Sequence, residues 1–211
     1  MRPPPEPFAH NYAEARAKFL AAATGTQLQS HPEPLRGLEA EMLAMDVARL
    51  GADDADALLI VSSGCHGVEG FCGSGAQVAL LHDEALRHKA RLAGVALLFI
   101  HALNPWGFSF ERRVTHEGVD LNRNFIDFRR PPPGNPGYDL LADALLPEDW
   151  PPTVNDERQL MAYAASHGMP ALQAAVSGGQ YRHPDGLFYG GTAPTWSQQT
   201  LRLVLRQHAA R

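Results

Sequence analysis

The chain has 211 residues, with 18 Lys and Arg against 23 Asp and Glu, so its formal net charge is −5. That sign argues against a nucleic-acid or anionic-membrane partner, and no run of Lys and Arg is longer than two. An apolar share of 45% and a charged share of 19% exclude a disordered or coiled-coil chain and suit a single α/β domain over 1–211.

The opening segment "MRPPPEPFAHNY" carries no apolar core, so a secretory signal is not expected. No apolar run approaches the roughly 20 residues of a membrane span. Cys65 and Cys72 are the only cysteines, which is no disulfide scaffold. A cytoplasmic, bacterial-type enzyme fits these bounds.

"NYAEARAKFLAAA" predicts an amphipathic helix capped by Asn11, with Tyr12, Ala15, Phe19 and Ala22 on its apolar stripe. "HPEPLRG" reads as a breaker. "LEAEMLAMDVARLG" alternates Leu38, Ala40, Met42 and Ala44 against Glu39, Glu41 and Leu43, and reads as a half-exposed strand at a sheet edge. A helix is the rival there, because its residue types favour one. "DALLIVSSG" is a short continuous apolar run, as expected of a buried parallel strand. "GSGAQVALLHDEALRHKARL" predicts one helix, and "GVALLFIHALNPWG" a second buried strand ending at Asn104-Pro105. Strand, helix, strand is a βαβ unit, and ligands of open α/β sheets bind outside the carboxyl ends of the strands. Gly64–Glu69 and His101–Asn104 fall there. Downstream, "RRPPPGNPG" is a loop, "ERQLMAYAASHG" a helix and "SGGQYRHPDGLFYGG" a glycine-rich loop or hairpin. "TWSQQTLRLVLRQHAAR" is a final helix capped by Thr195 or Ser197.

Two clusters carry chemistry. His66 and Glu69 stand three apart in "GCHGVEG", where Gly64 and Gly67 allow a tight turn. An imidazole nitrogen and a carboxylate oxygen both reach zinc at about 2.0–2.2 Å, so the pair can converge on one ion. Alone, this spacing is also that of an ordinary glycine turn with two stray polar groups. The second cluster, "NPWGFSFERRVTHEGVDLNRNF", offers Arg112, Arg113 and Arg123 with the amides of Asn104 and Asn122. Guanidinium forks bind carboxylates in bidentate fashion, which points to a substrate with a free carboxylate. The plainer reading is a solvated basic loop in which Asp120 pairs with Arg123.

Taken together, "GCHGVEG" after a strand and "NPWGF…RR…GVDLNRNF" after the next resemble the carboxypeptidase A-type zinc peptidases. "HGVEGFCGSGAQ", "HALNPWGF" and "GGQYRHPDGLFYGG" narrow the resemblance to a bacterial branch of unknown function, and it runs from about Phe8 to the last residue. The same elements serve the related aspartoacylase and succinylglutamate desuccinylase deacylases. The resemblance implies an α/β fold with three αβα layers around a mostly parallel mixed sheet, and zinc as cofactor. It implies His66 and Glu69 as metal ligands. Arg113 would stabilise the oxyanion, with Arg112 as the alternative, and Asn122 and Arg123 would hold the substrate carboxylate. The implied activity is hydrolysis of a C-terminal peptide bond or an N-acyl amino acid. The implied partner is a small peptide or acyl-amino acid, with no nucleic acid or membrane.

The chain departs from that family further on. A third zinc ligand, a histidine, and a general-base glutamate are expected on later elements. No glutamate follows Glu157, and the remaining acid is Asp185. Of His167, His183 and His208, the loop residue His183 is the serious internal candidate. The expectation is an N-terminal portion of the catalytic domain that holds zinc weakly and is inactive alone. The alternative is a non-catalytic carboxylate-binding module. Cys65 and Cys72 read as small buried apolar residues, and His101 as a hydrogen-bonding support for the site. Tyr181, Tyr189 and Trp196 read as pocket lining or packing. "SSGCHG" is not the Gly-x-Ser-x-Gly elbow of serine hydrolases.

Overall fold

Asn11 starts the first helix, α1 (Tyr12–Ala22), by accepting the amide of Glu14 on its side chain, and the buried positions of the helix are Tyr12, Ala15, Phe19 and Ala22. This is the expected cap and stripe. The computed structural model describes residues 6–148 and 151–209. The chain divides into two compact units, Met1–His116 with Trp196–Arg211, and Glu117–Thr195.

The first unit holds a four-stranded mixed sheet, β1 (Gln27–Arg36), β2 (Met42–Leu50), β3 (Ala57–Ser62) and β4 (Val95–His101), in the order β1-β2-β4-β3. β3 and β4 run parallel, while β1–β2 and β2–β4 are antiparallel. Helices flank the sheet, so the α/β layering is as expected, with a smaller parallel share. On one face Phe19 of α1 packs with Ala48, Leu97 and Phe99 of the sheet and with Val78 and Leu81 of α2 (Gly67–His82). On the other, Met45, Val47, Leu98 and Ile100 pack with Val204 of α9 (Trp196–Ala209).

Several elements differ from expectation. β1 spans the "HPEP" breaker. Pro32 and Pro34 are tolerated because β1 is an edge strand, where a missing N–H costs no ladder bond, and the pairing slips between Pro32 and Arg36. β2 is interior and almost wholly buried, and Leu38–Ala40 lie in the turn before it. β3 is parallel as expected but lies at the other edge, with Leu59 and Ile60 exposed. The crossover is two helices, α2 and α3 (Glu84–Leu92), because the Asp83 side chain accepts the Leu86 amide and starts a new N-terminus. α2 already begins at Gly67, so Glu69 is helical rather than in a loop. Cys72 is exposed and Cys65 half-buried, which corrects their reading as core residues.

A polar group lies within this unit. Asp46 on β2 is fully buried and accepts from Arg16 Nε at 2.7 Å and Nη2 at 3.2 Å, and from the Ser30 hydroxyl. His101, paired with Asp46 across the β2–β4 ladder, is also fully buried. It stacks on Phe19 at 4.7 Å, and its Nε2 lies 2.9 Å from Ser74 Oγ.

The second unit contains α5 (Leu121–Asn124), α6 (Pro136–Leu145), α7 (Val154–His167) and α8 (Met169–Ser177), the first unit having supplied α4 (Pro105–Ser109). α7 opens on a capping box between Thr153 and Asp156. The glycine-rich segment after α8 is organised by Gln180, which is buried. Its carbonyl oxygen accepts the amides of Arg182 and His183, and its amide group donates to the carbonyls of His183 and Leu187.

Candidate metal and carboxylate sites

The turns that leave β3 and β4 are stitched to one another. Leu103 N donates to Ser63 O at 2.9 Å, and Asn104 N to Gly64 O at 2.8 Å. Gly64 has φ +63, and a Cβ there would stand 2.5 Å from the Cβ of Ala102. Gly67 faces tighter quarters, since a Cβ would meet Gly107 O at 2.1 Å and Arg112 O at 2.6 Å. These glycines let the His66 turn press against the backbone that follows α4.

His66 is buried at the N-cap position of α2 and makes no side-chain cap bond. Its Nδ1 lies 3.1 Å from the carbonyl oxygen of Arg113. A carbonyl can only accept, so Nδ1 carries a proton in this contact, and the neutral ring then has its lone pair on Nε2. The Gly67 amide donates to Arg112 O at 3.0 Å and fixes the same approach. A histidine oriented this way by a backbone carbonyl has the tautomer that metal ligation requires. Glu69 is exposed in the first turn of α2. A carboxylate there also stabilises the helix N-terminus, by about 0.3–1 kcal/mol. The side chains of Arg112 and Arg113 are both exposed. The structure thus brings His66 against the backbone of Arg112 and Arg113. Asn104, expected as a substrate donor, is buried and structural. Its oxygen accepts the Gly107 amide and its nitrogen donates to Val114 O.

Among the described residues, no three His, Cys, Asp or Glu side chains are grouped so that they could hold a metal ion. The expected pair, His66 and Glu69, would be two of the three protein ligands that a catalytic zinc takes. His167 Nδ1 lies 3.2 Å from Tyr163 O in its own helix. His208 is in α9, with its protonated form disfavoured first by burial and then by Arg49.

In the second unit, Asp120 caps α5 by accepting the Asn122 amide at 2.9 Å. The Asn122 side chain is exposed. Arg123 is half-buried: one arm of its guanidinium donates to Ser177 O and the other to Asn122 O, and its Cζ lies 5.6 Å from the centroid of the Phe188 ring. Its Nε is buried with no hydrogen-bond partner. Tyr181 donates its hydroxyl to Arg123 O at 2.6 Å. Arg123 is thus a clamp on the end of α8 as well as a candidate anion donor. Tyr181 also lines a cleft of about 450 Å³ with Asn135, Tyr163 and Gly179, and Tyr189 lines one of about 240 Å³. Trp196 packs on the β-sheet core and lines neither.

The residue set that sequence reasoning missed is the partnership of His183. Its Nε2 lies 2.9 Å from Asp139 Oδ1, and Arg182 holds the other carboxylate oxygen at 2.8 Å. Hydrogen bonding to His183, with Arg182 beside it, holds the Asp139 carboxyl below its usual range. Asp139 lies 44 residues before His183, and no local pattern couples them.

No curated protein matches the chain. Among solved structures it is similar to Tannerella forsythia glutaminyl cyclase, with 12% identity over 54% of this chain and 45% of that one, at a TM-score of 0.29. Two structures of Porphyromonas gingivalis glutaminyl cyclase align at 14% and 12% identity and a TM-score of 0.26. Each covers 64% of this chain, and 43% and 46% of the cyclase. The chain therefore spans less than half the length of these structures. No helix among the described residues is long and apolar enough to cross a membrane. A family profile matches residues 8–211, and the chain belongs to that family, the proteins of unknown function DUF2817.

Proposed function

We propose that this chain carries the first metal-ligand pair of a zinc-dependent hydrolase of the metallocarboxypeptidase type. Its substrate is a small peptide or N-acyl amino acid with a free carboxylate, cleaved at the amide bond, and its compartment is the cytoplasm. The observation that carries the reading is the His66 ring, buried with its Nδ1 3.1 Å from the carbonyl oxygen of Arg113. His66 Nε2 and the Glu69 carboxylate would hold the ion. Zinc, when bound, activates a water and polarises the scissile carbonyl.

The chain's own residues divide the remaining work. Arg113, with Arg112 as the alternative, offers an exposed guanidinium to an oxyanion. Asn122 and Arg123 are the carboxylate donors, and Arg123 does this while its other contacts anchor it to Ser177 O. No residue is assigned as general base, so the chain alone is expected to turn over poorly.

The second reading is a non-catalytic carboxylate-binding module. It is favoured by the lack, among the described residues, of a group of three ligating side chains. Zinc titration with a competing chromophoric chelator tests the first reading. Measurable uptake that His66→Ala and Glu69→Ala each abolish supports it. No uptake by the wild-type chain, or uptake indifferent to both substitutions, overturns it.

A further inference from the structure

Leu50 ends β2 opposite Leu97 on β4, and Val95, two residues before Leu97, shares its face of the sheet. Over this floor runs α3, whose Arg87, Ala90 and Arg91 are spaced three and four apart and so lie on one side of the helix. Leu86 and Ala90 rest against the core there, yet no residue of α3 is buried. Between helix and sheet is a cavity of about 420 Å³, with Gly51 and Ala52 at its rim. That volume is in the range of small-molecule pockets. Small residues keep it open: Ala90 on the helix, and Gly51, whose φ of +103 disfavours any side chain.

The side chains that line the cavity are aliphatic apart from two guanidinium groups. None of them is acidic, aromatic, or a hydroxyl or amide. Arg87 donates one arm to Leu81 O at the end of α2, while its Nε is buried with no hydrogen-bond partner. Arg91 is exposed, and its Nη2 lies 3.0 Å from His88 Nδ1. Neither arginine is paired with a carboxylate among the described residues. Asp53, just past the rim, is held by Arg49 at 2.6 Å. A buried N–H without an acceptor is costly, and a carboxylate is among the strongest acceptors for a guanidinium.

We propose that this cavity binds a small amphiphilic carboxylate of the class of a medium-chain fatty acid. Its chain lies between α3 and the sheet, and its head group on Arg87 and Arg91. The aliphatic walls favour an apolar chain, the two cations fix the sign of the head, and the lining offers a second polar group nothing. The cavity adjoins the start of β4, whereas the turn beside His66 follows its end, a strand length of roughly 20 Å away. The inference does not depend on the metal reading.

Isothermal titration with octanoate, in the presence of a zinc chelator, tests it. Saturable binding of about one octanoate per chain is expected. Octan-1-ol and octylamine should bind at least about tenfold more weakly, since neither gives the arginines a negative partner. Ala90→Phe fills the cavity and should abolish binding. Arg87→Met should weaken it by about tenfold or more, as loss of a charged hydrogen bond does. Arg87→Met also removes the bond to Leu81 O. If it or Ala90→Phe loses its far-ultraviolet circular dichroism, Arg91→Gln at an exposed position decides, with weaker octanoate binding expected. No saturable binding of octanoate by the wild type overturns the proposal. So does binding that octan-1-ol matches, or that the folded variants leave unchanged.

Discussion

The Nδ1 of His66 lies 3.1 Å from the carbonyl oxygen of Arg113, across 47 residues of sequence. That one hydrogen bond joins the two motifs that sequence reading finds separately. It also makes the backbone before Val114 part of any metal site, because moving that carbonyl releases the tautomer of the ring.

Gly67→Ala tests this coupling. The new Cβ would fall 2.1 Å from Gly107 O and 2.6 Å from Arg112 O, and neither is the mobile end of a side chain. The α2 start must retreat from the Arg112–Arg113 backbone. A loss of about 1–3 kcal/mol in urea unfolding is expected, together with weaker zinc uptake than the wild type. A variant with unchanged stability and unchanged uptake would show that the close approach is not required.

The fold and the site were legible to different depths. Asn11 and the Tyr12–Ala22 stripe were readable because a cap and a helical period are local signals. So was β4, an uninterrupted apolar run. β1 was not, because Pro32 reads as a breaker wherever the strand's position in the sheet is unknown, and only at an edge is it harmless. The interior place of β2 was hidden too, since the charges that read as its solvated face, Glu39 and Glu41, lie before the strand begins. Asp46 is paid for by Arg16, 30 residues earlier. The role of Asn104 was misread for a similar reason: an amide near a site and an amide that caps a helix look alike in sequence. The Asp139–His183 pair has no sequence signal at all.

The buried Asp46 gives a stability prediction. Its carboxylate has no exposed surface, and the Arg16 side chain that neutralises it is 17% exposed. Arg16→Met leaves the charge buried and unpaired, at an expected cost of about 3–5 kcal/mol. The double variant Arg16→Met/Asp46→Asn keeps an acceptor for the Ser30 hydroxyl and should recover at least half of that loss. A single-variant cost under about 1 kcal/mol, as for a surface ion pair, would contradict the arrangement.

His101 makes stability depend on pH. Burial pushes its pKa down from 6.5 to about 4, and the nearby Asp46 opposes that only in part. Between those values the unfolded chain binds a proton that the folded chain does not. Stability from this group is therefore complete above pH 6.5 and is lost as pH falls toward 4, by up to about 3 kcal/mol. Urea unfolding at pH 7 and pH 5 should show a larger loss for the wild type than for His101→Asn. Equal losses would assign the acid sensitivity to other groups.

Arg123 belongs to both functional readings, and zinc dependence separates them. Its guanidinium is anchored to Ser177 O and beside Phe188, so its loss removes both an anion donor and a clamp. Arg123→Ala is expected to abolish calorimetric binding of an N-acetyl amino acid and to cost about 1.5–3 kcal/mol of stability, the worth of a charged hydrogen bond. Arg123→Lys retains the charge but not the planar fork, so it should weaken binding while recovering part of the stability. Repeating the wild-type titration with a zinc chelator then decides between hydrolase and binding module. A zinc site that shares the ligand loses affinity when the metal is stripped, whereas a carboxylate module that relies on Asn122 and Arg123 keeps it. Binding that survives Arg123→Ala would remove this arginine from both readings.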